Sequence, residues 1–253
     1  MRQSRLDLSP DLGFFGRPSE FLPENMRADP RILRGAEELK KMAARALEEG
    51  DAVGFLCCAP NTLGLWIVGA NIGPLKAHGI YETALLHAFS STRTNNYRYP
   101  LAQLRRLFGL ADRARLRAAG DPLPGPGPFT LYRGISGTGR ARRIRGLSWT
   151  SDKDEACWFA TRPLCSYDSP AVFRGEFGAE AVLAYLDDRD EREFVVSVGK
   201  ARTSRIPLSE PEIETRGQEI QRRREEDNQR WLAKARLRLA QKGSGSKAGG
   251  EGR

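Results

Sequence analysis

Hydrophobic and polar positions change rhythm near the middle of this 253-residue chain. In the first half the apolar positions recur at helical spacing. Leu39, Met42, Ala43, Ala46 and Leu47 share one face of a predicted helix. It opens at Asp29-Pro30, a cap followed by a proline suited to the first turn, and stops at Gly50. Tyr81 to Phe89 predicts another helix, and Leu101, Leu104, Leu107 and Phe108 a third after Pro100. Asp112 is placed to cap a further helix that ends at Gly120. The short apolar runs Val53 to Cys58 and Leu63 to Val68 flank Pro60-Asn61. Their length leaves buried strand and buried helix both open.

Past the proline–glycine connector 121–128 the period drops to two. Phe129, Leu131 and Arg133 fall on one face and Thr130 and Tyr132 on the other, and Gly134 allows a turn or a close approach to a ligand. A second strand-like piece reads Ser148-Trp149-Thr150. Ser151 and Asp152 then offer caps for a helix, with Asp154 and Glu155 three residues on as in a capping box and Ala156, Phe159 and Ala160 facing inward. Ala181 to Tyr185 predicts one more strand. Seven charged residues run from Asp187 to Glu193 and give way abruptly to Phe194-Val195-Val196. In an extended chain Glu191 and Glu193 leave the same face, with Arg192 opposite. Such a run is ordinarily a solvated turn, but a carboxylate on the first residues of a buried strand is held rigidly.

The ends carry less pattern. Residues 1–29, with Pro10, Pro18 and Pro23, predict an irregular arm. Residues 216–241 predict a charged helix with sparse apolar positions (Ile220, Trp231, Leu232, Leu237, Leu239), and residues 216–253 are expected to be dispensable for the chemistry of the rest. Residues 242–253 read as a disordered glycine-rich tail, and the length implies a single domain over 30–215 between these appendages.

Composition narrows the chemistry. No apolar run approaches the ~20 residues of a membrane span, and the N-terminus lacks the apolar core of a secretory signal, so a membrane role is not expected. The four cysteines do not form a staple framework, which points to a reducing, cytoplasmic setting. His78 and His87 are the only histidines, so a multi-histidine metal site is ruled out, and Cys57-Cys58 lacks zinc-ligand spacing. Gly134-x-x-Gly137-x-Gly139 matches no phosphate-loop spacing. The net charge of +9 is compatible with an acidic or nucleic-acid partner. Arg140, Arg142, Arg143 and Arg145 read as a solvated cluster, and Trp149, Trp158, Phe159 and Phe173 as core aromatics.

An arginine after an aromatic, a strand serine and a Glu-x-Glu, in that order, resemble the arginine–serine–glutamate class of ADP-ribosyltransferases over residues 129–200. The resemblance implies an α+β fold, a split, mostly antiparallel sheet preceded here by a helical region. It implies Arg133 on the phosphates of NAD, with Gly134 and Thr150 beside the dinucleotide. Ser148, the first residue of a Ser-Trp-Thr version of the family's Ser-Thr-Ser strand, would position the catalytic glutamate and the ribose. Glu193 would be that glutamate and Glu191 the residue that orients the acceptor. The implied activity is cleavage of NAD, as substrate, with transfer of ADP-ribose to a macromolecule, protein before nucleic acid, without a metal. Many relatives are bacterial toxins or effectors. The alternatives are a glycohydrolase that passes ADP-ribose to water, and a non-enzymatic basic module that binds nucleic acid or protein.

Overall fold

The computed structural model describes residues 10–12, 30–91, 99–138, 142–161, 168–187, 191–199 and 201–245. Most of the predicted arm, Arg140, Cys165, residues 188–190 and the end of the tail lie outside the described residues. Among these, seven helices precede the first strand: α1 Pro30–Glu48, α2 Ala52–Cys57, α3 Gly64–Ala70, α4 Ile72–Ala77, α5 Tyr81–Ser91, α6 Leu101–Leu110 and α7 Arg113–Ala118. There follow β1 Phe129–Ile135, β2 Ser148–Thr150, helix α8 Lys153–Thr161, β3 Ala171–Phe177, β4 Val182–Leu186, β5 Glu193–Val196, β6 Thr203–Arg205 and helix α9 Glu210–Gly245. The class is α+β. The strands form one six-stranded sheet in the order β4-β5-β2-β1-β3-β6, with antiparallel β1–β2, β3–β6 and β4–β5 pairs.

The described chain divides into two compact units, one of residues 1–129, 145–149 and 177–201, the other of 130–144, 150–176 and 202–253. The first has a large apolar core of its own, built from the helices together with Leu147, Ala184 and Val195. Both ambiguous apolar runs are helical. Asp51 caps α2 by accepting from the Gly54 amide at 2.8 Å, and a 3-10 turn at Asn61–Leu63 leads into α3. Met42, expected on the apolar face of α1, is exposed, whereas Ala43, Ala46 and Leu47 are buried. The Asp112 cap forms as expected, accepting from the Arg115 amide at 2.9 Å. Buried Glu82 on α5 in turn accepts from the Asp112 amide at 2.9 Å and lies 3.5 Å from the Arg115 guanidinium. Arg117 of the same helix donates to the carbonyls of Ala179 and Val182, which ties α7 to the start of β4.

In the second unit a smaller core of Ala156, Cys157, Ala160, Val172 and Ile213 joins α8, β3 and α9. The C-terminal helix starts six residues earlier than expected, at Glu210. Ser209 and Glu212 exchange hydrogen bonds across its first turn, from the Ser209 amide and hydroxyl to the Glu212 carboxylate, a capping box that the sequence reading missed. Nor is the helix a loose appendage: Ile213 and Ile220 are buried, and helical geometry continues to Gly245, into residues read as tail.

Candidate active site

Period-two burial places the predicted arginine. In β1, Leu131 and Ile135 are buried, and Arg133 lies between them on the same face, itself half-buried. Its Nε donates to the Arg143 carbonyl at 3.0 Å, which fixes the plane of the guanidinium. Two of the arginines read as solvated are instead tied to the backbone. Arg142 donates to the carbonyls of Gly137 at 3.1 Å and Ser169 at 2.6 Å, and Arg145 donates to that of Gly199. Arg143 is half-buried, and burial pulls its guanidinium below the usual arginine range. These contacts give the loop carbonyls of Gly137, Ser169 and Gly199 donors.

Gly134, expected to allow a turn or a close approach to a ligand, is packed against a helix. A side chain there would begin 1.8 Å from the Ala156 carbonyl oxygen and 2.7 Å from the Ala160 amide nitrogen. The missing Cβ lets the backbone of α8 lie directly on β1. Thr150 also has a local role. It is buried, and its hydroxyl accepts from the Asp152 amide at 3.1 Å, while Asp152 accepts from the amides of Asp154 and Glu155 at 2.8 and 3.3 Å. The start of α8 is thus capped by Thr150 and Asp152 in series. Glu155, expected to serve a capping box, binds Arg224 of α9 at 2.8 Å. Between Ser148 and Thr150, Trp149 points into the core. Its indole donates to the Gly146 carbonyl at 2.9 Å, and its ring meets Phe177 edge-on at 5.0 Å. By parity Ser148 and Thr150 share the other face, and Ser148 is half-buried.

Glu193 opens β5, where it registers with Leu186 of β4. The rest of the strand is wholly buried, and Phe194 packs between Phe129 and Tyr185 at centroid distances of 5.1 and 4.7 Å. Glu191 and Glu193 are each only 7% exposed. The charged run is therefore not a solvated turn at these two positions. The extended geometry expected to put them on one face is interrupted, because Arg192 between them adopts φ +44°. That left-handed conformation is uncommon for arginine and is associated with turns and functional sites.

Ser148, Glu191 and Glu193 belong to the first unit, and Arg133, Gly134 and Thr150 to the second. β2, which carries Ser148 and Thr150, stands between β1 and β5 in the strand order. Tyr132, the residue before Arg133, registers with Thr150. Among the described residues no group of three or more His, Cys, Asp or Glu side chains is placed to hold a metal ion. No protein-family model, curated protein or solved structure matches this chain.

Proposed function

We propose that this protein is a mono-ADP-ribosyltransferase that cleaves NAD and transfers ADP-ribose to a macromolecular acceptor, with a protein as the acceptor class. The observation that carries the reading is the burial of Glu191 and Glu193, two carboxylates two residues apart at the start of an otherwise apolar interior strand. Burying a carboxylate is costly, and buried titratable groups are enriched at functional sites. The order of the arginine, the serine and the glutamate along the chain supports the same reading. In this reading the sheet is of the ADP-ribosyltransferase type.

Breaking the bond between nicotinamide and ribose develops positive charge on the ribose ring, as in glycoside hydrolysis. Glu193, held on the strand and hydrogen-bonded to the ribose 2′-hydroxyl, stabilises that charge more than it stabilises bound NAD. Arg133 takes the phosphates, and Ser148 orients the ribose and Glu193. Glu191 orients the incoming nucleophile and removes its proton. Free thiols at Cys57, Cys58 and Cys157 suit action in a reducing, cytoplasmic setting.

The test is nicotinamide release from NAD by the purified protein and by Glu193→Gln. This substitution keeps the shape of the side chain and removes its charge. A loss of about a hundred- to a thousand-fold in turnover with folding intact is expected, the usual effect of removing one well-placed electrostatic group. Wild-type turnover in Glu193→Gln would refute the assignment. A second reading draws on α9, where Trp231 is 65% exposed and Lys234 and Arg236 face solvent. In a binding module this basic stretch would hold an anionic partner, with affinity falling steeply as salt rises and no nicotinamide released.

A further inference from the structure

Helix α8 is held from two sides. Its Ala156 and Ala160, four residues apart and so on one face, meet β1 at Gly134, where the backbones touch without a side chain between them. Glu155 and Trp158, three residues apart, form another face, and that face meets α9. The Arg224 guanidinium binds the Glu155 carboxylate at 2.8 Å and lies 4.0 Å over the centre of the Trp158 ring. The Trp158 indole donates to the Gln221 side chain at 2.8 Å. One turn towards the helix start, Arg216 binds Asp154 at 2.7 Å. Gly217 lies where a side chain would begin 2.3 Å from the Thr161 hydroxyl and 3.3 Å from the Cys157 carbonyl.

We infer that Arg224 is a positioning residue for the phosphate-binding arginine, so that the first turns of α9 are part of the NAD-binding machinery. The inference rests on the transferase reading above. Its physical basis is the absence of slack along the path from Arg224 to Arg133. Glu155 is buried and charged, so it holds its guanidinium partner tightly. The backbone of α8 contacts that of β1 directly, so a shift of the helix is passed to the residue next to Gly134, which is Arg133. Phosphate recognition by a guanidinium fork is directional, and a displacement of about 1 Å in a positioning group can cost a hundred-fold.

The experiment uses the full-length protein and measures KM and kcat for NAD by nicotinamide release, beside the melting temperature. Arg224→Ala is expected to raise KM about ten-fold while kcat per folded molecule stays within about two-fold, since Glu193 is not on this path. Arg224→Lys keeps the charge beside Glu155 but not the planar fork over Trp158, and is expected to give an intermediate KM. It carries the test where the alanine variant does not fold. Arg224→Ala combined with Glu155→Gln should cost no more in KM than Arg224→Ala alone, as for two members of one pair. A melting temperature that falls while KM in both Arg224 variants equals that of the wild type would reduce the clamp to a structural role and overturn the inference. Wild-type protein that neither binds nor cleaves NAD would overturn the transferase reading and the inference with it.

Discussion

Replacing Gly134 with alanine tests whether this glycine faces a ligand or a helix. The added Cβ would sit 1.8 Å from the Ala156 carbonyl oxygen, 2.7 Å from the Ala160 amide nitrogen and 2.9 Å from the Ala156 carbonyl carbon. All three are backbone atoms of α8, so no side chain can swing aside. The helix must retreat by roughly 1.5 Å before the closest contact reaches ordinary van der Waals range. That movement loosens the core of Ala156, Cys157, Ala160, Val172 and Ile213. Overpacking of this kind costs about 1–3 kcal/mol, and a backbone clash belongs at the upper end. At about 2–4 °C per kcal/mol for a chain of this size, the melting temperature should fall by roughly 6–12 °C. Thermal unfolding by circular dichroism reads this directly, with NAD cleavage measured well below the transition. Were Gly134 needed for close approach of NAD instead, the variant would melt with the wild type and show only a raised KM. That result would refute the packing argument.

Three further outcomes follow from the same geometry. Glu191→Gln should keep NAD hydrolysis within about ten-fold while losing transfer to the acceptor by the ~10²–10⁴-fold typical of a lost general base, followed as nicotinamide release and labelled ADP-ribose in parallel; equal losses would place Glu191 on NAD itself. At Arg192, with φ +44°, Arg192→Val should lose about 2 kcal/mol in urea unfolding, whereas Arg192→Asn, a residue that tolerates this conformation, should stay within about 1 kcal/mol; equal midpoints would dismiss the strained turn. Burial pushes the Cys157 thiol up to about 11, so at neutral pH it should resist alkylation while exposed Cys57 reacts, and mass spectrometry of labelled peptides reads the difference.

How much of this was legible in the sequence depends on the range of the interaction. The longer helices could be read from their own periodicity, and the Asp112 cap from three adjacent residues, because the forces that set them are local. The helices α2 to α4, of six or seven residues, were not decidable, since a run so short gives neither period a chance to show. Strand β3 was missed. Its Arg174-Gly175-Glu176 stretch dilutes the apolar signal, and its pairing with β6 comes from about 30 residues downstream. Glu155 looked like a capping residue because its partner, Arg224, is 69 positions away. The early start of α9 was local and legible, in Ser209 and Glu212.

The candidate site shows the same division and gives it a meaning. Arg133, Ser148 and Glu193 could be picked out by their order along the chain, but their environments could not. Sequence alone made the run from Asp187 to Glu193 a solvated turn by default, since seven consecutive charges cost nothing in water. The fold withdraws its last two carboxylates from water. Buried glutamates occur elsewhere in the chain for structural reasons: Glu82 receives the Asp112 amide beside Arg115, and Glu155 receives Arg224, each singly and each joining two helices. Glu191 and Glu193 differ in being buried as a pair around a left-handed residue at the edge of an apolar strand. The arrangement takes both carboxylates out of bulk water at the start of that strand. It is well suited to a reaction that needs one fixed negative charge beside a developing cation and a second to receive a proton. In the proposed transferase reading, the division of labour between Glu193 and Glu191 therefore rests on this burial at the start of the strand and on their order along the chain.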